Sequence, residues 1–546
     1  MKRHSFRTKN ILETHSLVYI SIMLVVLMLF FLLLGNMGRI ISSANLDGGE
    51  ADPAVLKEAL EKGPERNAKR FSGGNGTDCV ALFGDRPILG ALSSQLMIMN
   101  QSYQTVSDLS DLNGYQFLVI AKESISDAEM KAVSAYVKAG GHVWITNLNE
   151  KLSRMKAVMD LCGIRKAGTE KKWPGIRFSG DIALGTVLEA PKYKVSALDL
   201  KLSNEIKLFA CALPKKYKEI EIEDLPPLIW RYMPEETSGF VYVCNGDFMN
   251  TEVLYYMLPV ILSEVKENYV YGILNAYCVF AEGMPYAKNE QRESWKRLYS
   301  RDKMSILQDL LSAQYLRYYN NYGARITYFS RDYETFRNTE DSNLRYYKEL
   351  IANSMGLLAR KDPKGLFLSD SREKMKIEDW DPGFQFTGEN KFCLPVNFSY
   401  SIQNPEEEEF AALASMVGLG FYAFSNDVDT LLDYNGKDDV WDEYCKKQET
   451  IFGVGQKIGS WIERVSAAQA IERLDSHLTS DTRVEYRKDG IDITTGAEQY
   501  WMILKGKTEE IAITGGSAEL IGDRCWLIEV NSPHAVITYQ KPEEAV

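Results

Sequence analysis

Histidine is nearly absent from this chain. Of 546 residues only five are His (His4, His15, His142, His477 and His534), and none falls between positions 143 and 476. Across that stretch no imidazole is available to hold a divalent ion or carry a proton, which excludes His-based metal hydrolysis there. Paired cysteines are missing too. The eight Cys residues, Cys79, Cys162, Cys211, Cys244, Cys278, Cys393, Cys445 and Cys525, stand singly, with no C-x-x-C and no metal-ligand spacing. Neither a zinc ribbon nor a thiol redox motif is expected. Several lie in apolar runs such as VYVCNG and AYCVF, where a free thiol packs as a small hydrophobe. Positive charge is also in short supply: the net charge is -12, with no large Lys/Arg cluster beyond the extreme N-terminus. A nucleic-acid partner is therefore not expected, because a phosphate backbone requires a basic face; local contact with a polyanion stays open.

What is present is ample apolar material, 45% hydrophobic and 11% aromatic residues, enough for two to four domains with their own cores. The segment from Leu17 to Gly35, LVYISIMLVVLMLFFLLLG, carries no charge and approaches the about 20 residues that cross a bilayer as a helix. Lys2, Arg3, Arg7 and Lys9 precede it, and Arg39 alone follows before Asp47, Glu50 and Asp52. The positive-inside bias leaves the N-terminus cytoplasmic and the bulk outside. Ser42-Ser43-Ala44 offers small residues to a signal protease, but the apolar run exceeds the about 7–15 residues of a signal core, so an uncleaved single-pass anchor is expected. Residues 1–41 are read as tail and anchor. Residues 42–76, polar and Gly-rich up to SGGNGTD, are read as a stalk.

From Cys79 short apolar runs alternate with helical patterns. CVALF and QFLVIA suit buried parallel strands. Ser126-Asp127-Ala128-Glu129 has the spacing of a capping box before a helix that stops at Gly140-Gly141, and HVWIT is the next strand. FVYVCNGDF and TEVLYYMLPVILSEVKE close a doubly wound α/β domain over residues 77–267. These phrases resemble the class I glutamine-amidotransferase-like fold. The resemblance implies a nucleophilic Cys at the turn after a strand, but here HVWIT runs into Thr146-Asn147, so the domain is expected to be a non-catalytic relative.

A second alternation, from YGILNAYCVFAEG through RITYFS to FYAFSND and two further helices, predicts a (β/α) barrel-like domain over residues 268–477. Short alternating runs from RVEYRK to HAVITYQ, broken by Gly, Asp and Asn, predict a small antiparallel β-sandwich over residues 478–546. The whole order, anchor, amidotransferase-like domain, (β/α) domain and sandwich, resembles a polysaccharide-deacetylase-like family of membrane-tethered bacterial proteins that accompany exopolysaccharide synthesis of the Pel type.

That resemblance implies an acid pair closing the first barrel strand and a later metal motif with histidines. Ala281 and Glu282 stand at the first position, with Pro285 retained; Ser425-Asn426-Asp427-Val428-Asp429 stand at the second. Without imidazoles, an all-carboxylate set of Glu282, Asp427 and Asp429 would suit Ca²⁺ or Mg²⁺ and make a different catalyst. No metal and no cofactor are therefore expected, and Asp427, Asp429, Trp380 and Tyr286 are candidate binding residues. Paired carboxylates also cleave glycosidic bonds unaided. For that alternative, a glycoside hydrolase or polysaccharide-modifying enzyme, Glu282 and Asp381 are the candidate catalytic pair, with Asp370 and Asp379 also near strand ends. Tyr315, Tyr318, Tyr319 and Tyr322 crowd one helix, and Trp380, Phe384 and Phe386 flank a Gly/Pro turn. Exposed rings would stack on sugars, but their helical spacing equally fits an inward stripe. The acidic run Glu406–Glu409 after Pro405 suits a helix N-terminal turn. The expected function is that of a membrane-anchored extracytoplasmic accessory or glycan-binding pseudoenzyme in exopolysaccharide biosynthesis or export, its partners a polysaccharide, the membrane and glycosyltransferase or export machinery.

Overall fold

Apolar runs flanked by turn residues become strands where a neighbouring segment supplies the backbone partners. The computed structural model describes residues 79–540 except 184–185, 236, 286–292, 339–341, 363–364, 368–377, 380–384, 387–391, 394, 397, 400–404, 429–444, 447, 450–451, 454–455, 457–458 and 507–509. The expected anchor and stalk lie outside these residues. Among the described residues no helix is long and apolar enough to cross a membrane.

Eleven strands occupy the first part of the chain: β1 Cys79–Gly84, β2 Tyr103–Val106, β3 Tyr115–Ala121, β4 His142–Leu148, β5 Ile164–Trp173, β6 Gly175–Ala183, β7 Thr186–Ala190, β8 Val195–Leu202, β9 Ile206–Leu213, β10 Pro227–Tyr232 and β11 Val241–Asn245. Nine form one sheet in the order β2-β1-β3-β4-β11-β10-β9-β6-β7. Its β2 to β11 half is parallel, as expected of runs buried on both faces. The rest departs from a doubly wound sheet: β10, β9, β6 and β7 continue it antiparallel, and β5 with β8 forms a separate two-stranded ribbon. Helices α1 Ile88–Ile98, α2 Asp127–Lys138 and α3 Thr251–Lys266 accompany the sheet. The capping box is formed, with Ser126 Oγ accepting from Glu129 N–H and the Glu129 carboxylate accepting from Ser126 N–H. Lys122 pairs with the same carboxylate at 2.7 Å, and these bonds hold it down at about 2.

The second sheet runs β16-β15-β14-β13-β18-β17, built from β13 Ala276–Glu282, β14 Ile326–Ser330, β15 Leu357–Asp362, β16 Gly365–Phe367, β17 Phe398–Ser399 and β18 Phe421–Asp427. Five of these strands are mutually parallel and β16 is antiparallel at the edge. Among the described residues no pairing closes the sheet into a ring, so the barrel-like expectation is met only as an open parallel α/β sheet. Strand β12, Asn268–Ile273, lies ahead of this sheet in the chain but belongs elsewhere. It pairs antiparallel with β21, Tyr500–Gly506, in the sheet β12-β21-β24-β23. The other strands of the C-terminal part are β19 Arg483–Arg487, β20 Gly490–Thr494, β22 Ile511–Thr514, β23 Gly516–Gly522, β24 Cys525–Val530 and β25 His534–Tyr539. The sheet β19-β20-β25-β22 faces the first across a core of Ile491, Ile493, Met502, Ile528, Val530 and Ile537. The sandwich is therefore real, but one of its strands comes from inside the range assigned to the (β/α) domain.

Of helices α4 Ser312–Tyr322, α5 Pro405–Leu419 and α6 Ala467–Thr479, α5 and α6 knit these parts together. Helix α5 starts at Pro405, as the acidic run predicts. Its Phe410, fully buried, stacks on Phe178 of β6 at 5.1 Å and meets Tyr193 and Tyr256 edge-on at 5.3 and 5.7 Å. The Tyr256 hydroxyl in that cluster is buried with no hydrogen-bond partner among the described residues, and burial raises its pKa far above the ordinary phenol range. Since an unpartnered buried hydroxyl costs on the order of 1–3 kcal/mol, Tyr256→Phe is expected to stabilise the protein by about 1 kcal/mol in urea titration. A loss of stability would mean the hydroxyl has a partner after all.

Candidate functional site

In parallel α/β sheets the carboxyl ends of the strands face open loops, and side chains there are free to meet ligands. At that end of the second sheet β13 closes on Glu282, in register with Asp427 of β18 and Phe329 of β14. Gly283 follows with φ 76°, a conformation that suits glycine, and its N–H donates to Phe329 O at 2.8 Å. The Met284–Pro285 peptide is cis. Ser330 Oγ donates to Pro285 O at 2.5 Å and accepts from Asp332 N–H at 3.1 Å. The turn after β13 is thereby clasped to the end of β14.

Two polar side chains of β18, Ser425 and Asn426, are engaged by protein. The Ser425 hydroxyl donates to Glu282 Oε1, and register places Ser425 one step behind Asp427 on the same face. Asn426, on the opposite face, exchanges two amide hydrogen bonds with Gln448, at 2.7 and 3.1 Å, both residues being buried. Of the sequence candidates, Glu282 is half-buried at the strand end, and Asp427 terminates β18 beside it. Asp429, Trp380, Asp381 and Tyr286 lie outside the described residues, as does Asp370; Asp379 ends a two-residue strand, Glu378–Asp379. The structure thus brings Glu282 and Asp427 together. Ser425 and Asn426 stood in the sequence only as replacements for imidazole, and Gln448 gave no signal. The contacts of Ser425 and Gln448 span 143 and 22 residues, which no local pattern reveals.

The ion implied by the deacetylase-like resemblance is held by imidazole nitrogen, and the donors here do not fit it. The described groups at the strand ends are carboxylate, hydroxyl and amide, and the Asn426 amide is already bound to Gln448. Among the described residues no three His, Cys, Asp or Glu side chains converge in a way that could hold a metal ion. The aromatic stripe of α4 is also largely internal: Tyr315 and Tyr318 are fully buried, and Tyr322 stacks on Phe452 at 5.0 Å. Tyr315 and Tyr318 are core rather than a sugar platform.

The corresponding edge of the first sheet is tied shut in a similar way. Asn147, near the end of β4 where the amidotransferase-like resemblance implies a nucleophile, is buried. With its amide turned to satisfy both ends, it donates to Gly246 O at 3.0 Å and accepts from Arg86. Arg86 in turn pairs with Asp247. An amide fixed between two loops positions backbone and offers no nucleophile.

The two buried histidines are far from these strand ends in role. His142 Nδ1 accepts from Phe240 N–H at 3.0 Å, and the ring stacks on Phe240 at 5.2 Å. Burial, with Arg231 nearby, holds its pKa down at about 4. His477 Nε2 lies 2.5 Å from Ile98 O, so that nitrogen carries the proton, and the ring stacks on Tyr500 at 4.6 Å. Burial depresses it to about 4 as well, against a small opposing effect of the Ile98 carbonyl. Both are neutral structural groups.

No known protein family and no curated protein matches the chain. Among solved structures, one described as "Crystal structure of Agd3 a novel carbohydrate deacetylase" superposes with a TM-score of 0.49 and 9% identity, over 85% of this chain and 99% of that one. An exo-beta-1,4-mannosidase, Op5Man5 from Opitutaceae bacterium strain TAV5, gives 0.22 and 12% over 31% of each chain. PurLQS from Thermotoga maritima gives 0.20 and 9% over 30% of this chain and 85% of that one. None of these likenesses is close enough to carry a function across, and the chain stands as a mixed α/β protein whose role is argued from its own residues.

Proposed function

We propose that this protein is a membrane-anchored, extracytoplasmic glycan-binding subunit of bacterial exopolysaccharide assembly or export, built on a deacetylase-like plan that no longer performs the chemistry. The observation carrying this reading is the hydrogen bond from Ser425 to Glu282: the acid at the end of β13 is held by a hydroxyl where that plan calls for an ion clamped by imidazoles. A carboxylate oriented this way is suited to accepting hydrogen bonds from sugar hydroxyls. The test uses purified full-length protein with a soluble N-acetylated glucosamine polymer, with and without added divalent metal. Binding without acetate release is expected; metal-dependent acetate release, or no polymer binding at all, overturns the reading. Ser425→Ala removes a hydrogen bond that orients Glu282 and should weaken polymer binding several-fold, at about 1 kcal/mol in stability. Unchanged binding would take Glu282 out of the site.

One observation favours a second reading. Register sets Glu282 and Asp427, two acids, at the same end of adjacent strands, and a pair of Asp/Glu side chains is what glycosidases use. A glycosidase built on this pair predicts polymer cleavage that Glu282→Gln or Asp427→Asn abolishes while the fold persists.

A further inference from the structure

The ribbon of β5 and β8 concentrates positive charge in a protein of net charge -12. Ile164 pairs with Leu202 and Lys166 with Lys201, leaving Arg165 as the extra residue of a bulge. Two residues of a bulged strand oppose one on the partner, so Arg165 and Lys166 both confront Lys201. All three are exposed, and among the described residues none of them has an ion-pair partner. Like charges set opposite each other across strands are destabilising, so this arrangement costs the fold something unless an anion joins it.

The neighbouring acids do not supply that anion. Asp199, on the same strand as Lys201, is taken by Lys171 at 2.6 Å, and Glu170 accepts from the Ser196 hydroxyl. Lys172 and Lys194 are exposed along the same ribbon, and Lys171 lies 6.0 Å from the centre of the half-buried Trp173 ring. A second irregularity, between Ala167 and Glu170, bends the strand, and Gly168 there sits where a Cβ would lie 2.6 Å from Asp199 O.

We propose that this ribbon is a docking surface for an acidic polysaccharide, a polymer bearing carboxylates at intervals along its length. Alternate residues of a strand are about 6.6 Å apart, a sparse ladder of cations. Duplex DNA, with one charge per about 1.7 Å of axis, would be under-neutralised here and repelled by the acidic remainder. An anionic membrane surface calls for apolar side chains to insert beside the cations. The large exposed apolar residues among those described, Ile220, Ile222, Met233, Tyr346 and Leu520, are not on the ribbon. The surface is separate from the Glu282 site, so either proposal stands or falls without the other.

The test measures binding of full-length protein to polygalacturonate and to the same polymer with its carboxylates methyl-esterified, at about 50 and about 200 mM salt. Binding to the acidic form alone, weakening with salt and falling at least about tenfold in a variant carrying Arg165→Gln, Lys166→Gln and Lys201→Gln, is expected. Relief of repulsion should leave the melting temperature of that variant unchanged or raised. Equal binding by the variant, equal binding of the esterified polymer, or tighter binding to duplex DNA or phosphatidylserine vesicles overturns the proposal.

Discussion

Acidification from pH 7 to pH 4.5 is expected to remove on the order of 2–3 kcal/mol of stability for each of two buried imidazoles, about 5 kcal/mol together. His142 and His477 have pKa values of about 4 in the folded protein, against 6.5 in the unfolded chain. Between those limits the unfolded state binds protons that the folded state refuses. Stability is therefore complete above pH 6.5 and is lost as the pH falls towards 4, at about 1.4 kcal/mol per pH unit per residue. For His142 the geometry explains the refusal, since Nδ1 already accepts from a backbone N–H and a proton placed there would face a donor. Urea titrations at half-unit pH steps give the slope directly. His142→Asn should lower it by about one residue's share, and an unaltered slope would show that the imidazole is protonated in the native state.

Phe410→Ala is expected to cost about 3–5 kcal/mol, the range for deleting a fully buried aromatic ring. The ring is fully buried and touches Phe178, Tyr193 and Tyr256 from the first α/β unit, while its own helix α5 leads into β18. Removing it leaves a cavity where the two units share one core. Phe410→Leu, which keeps much of the volume, should cost distinctly less. If the alanine variant lost under about 1.5 kcal/mol, the site would have collapsed without strain and the joint would rest on the other contacts between α3 and α5.

Sequence pattern was sufficient for elements whose stabilisation is local. The Ser126–Glu129 capping box, the runs that became β1, β3 and β4, and the alternating strands of the sandwich all appear where periodicity and turn residues put them. Partners were not legible. YGILNAYCVFAEG is a single apolar run in the sequence, yet it divides at Leu274-Asn275, where Asn275 takes φ 51° and its side chain is bound to Glu463. The first half pairs with Tyr500–Gly506 and the second with Ile326–Ser330 and Phe421–Asp427. Hydropathy gives the length of such a run but not the strand that will complete it. The ribbon was hidden for a related reason: β5 is rich in charged residues and lacks the apolar alternation of a strand, and Lys201 reaches Arg165 and Lys166 only through the register of β8. At the candidate site, Glu282 was legible as an acid at a strand end, whereas its fixation by Ser425 depends on the β13–β18 pairing.

Strand β12 makes the terminal sandwich a shared possession. The ribosome releases Asn268–Ile273 long before Tyr500–Gly506 exists to pair with it, so during synthesis an apolar segment with unmet backbone groups has to wait, shielded or at risk of sticking to its neighbours. A chain cut before residue 478 would leave that segment permanently widowed. For this protein, clipping the tail is therefore expected to spread damage back into the middle of the molecule rather than merely to trim an accessory.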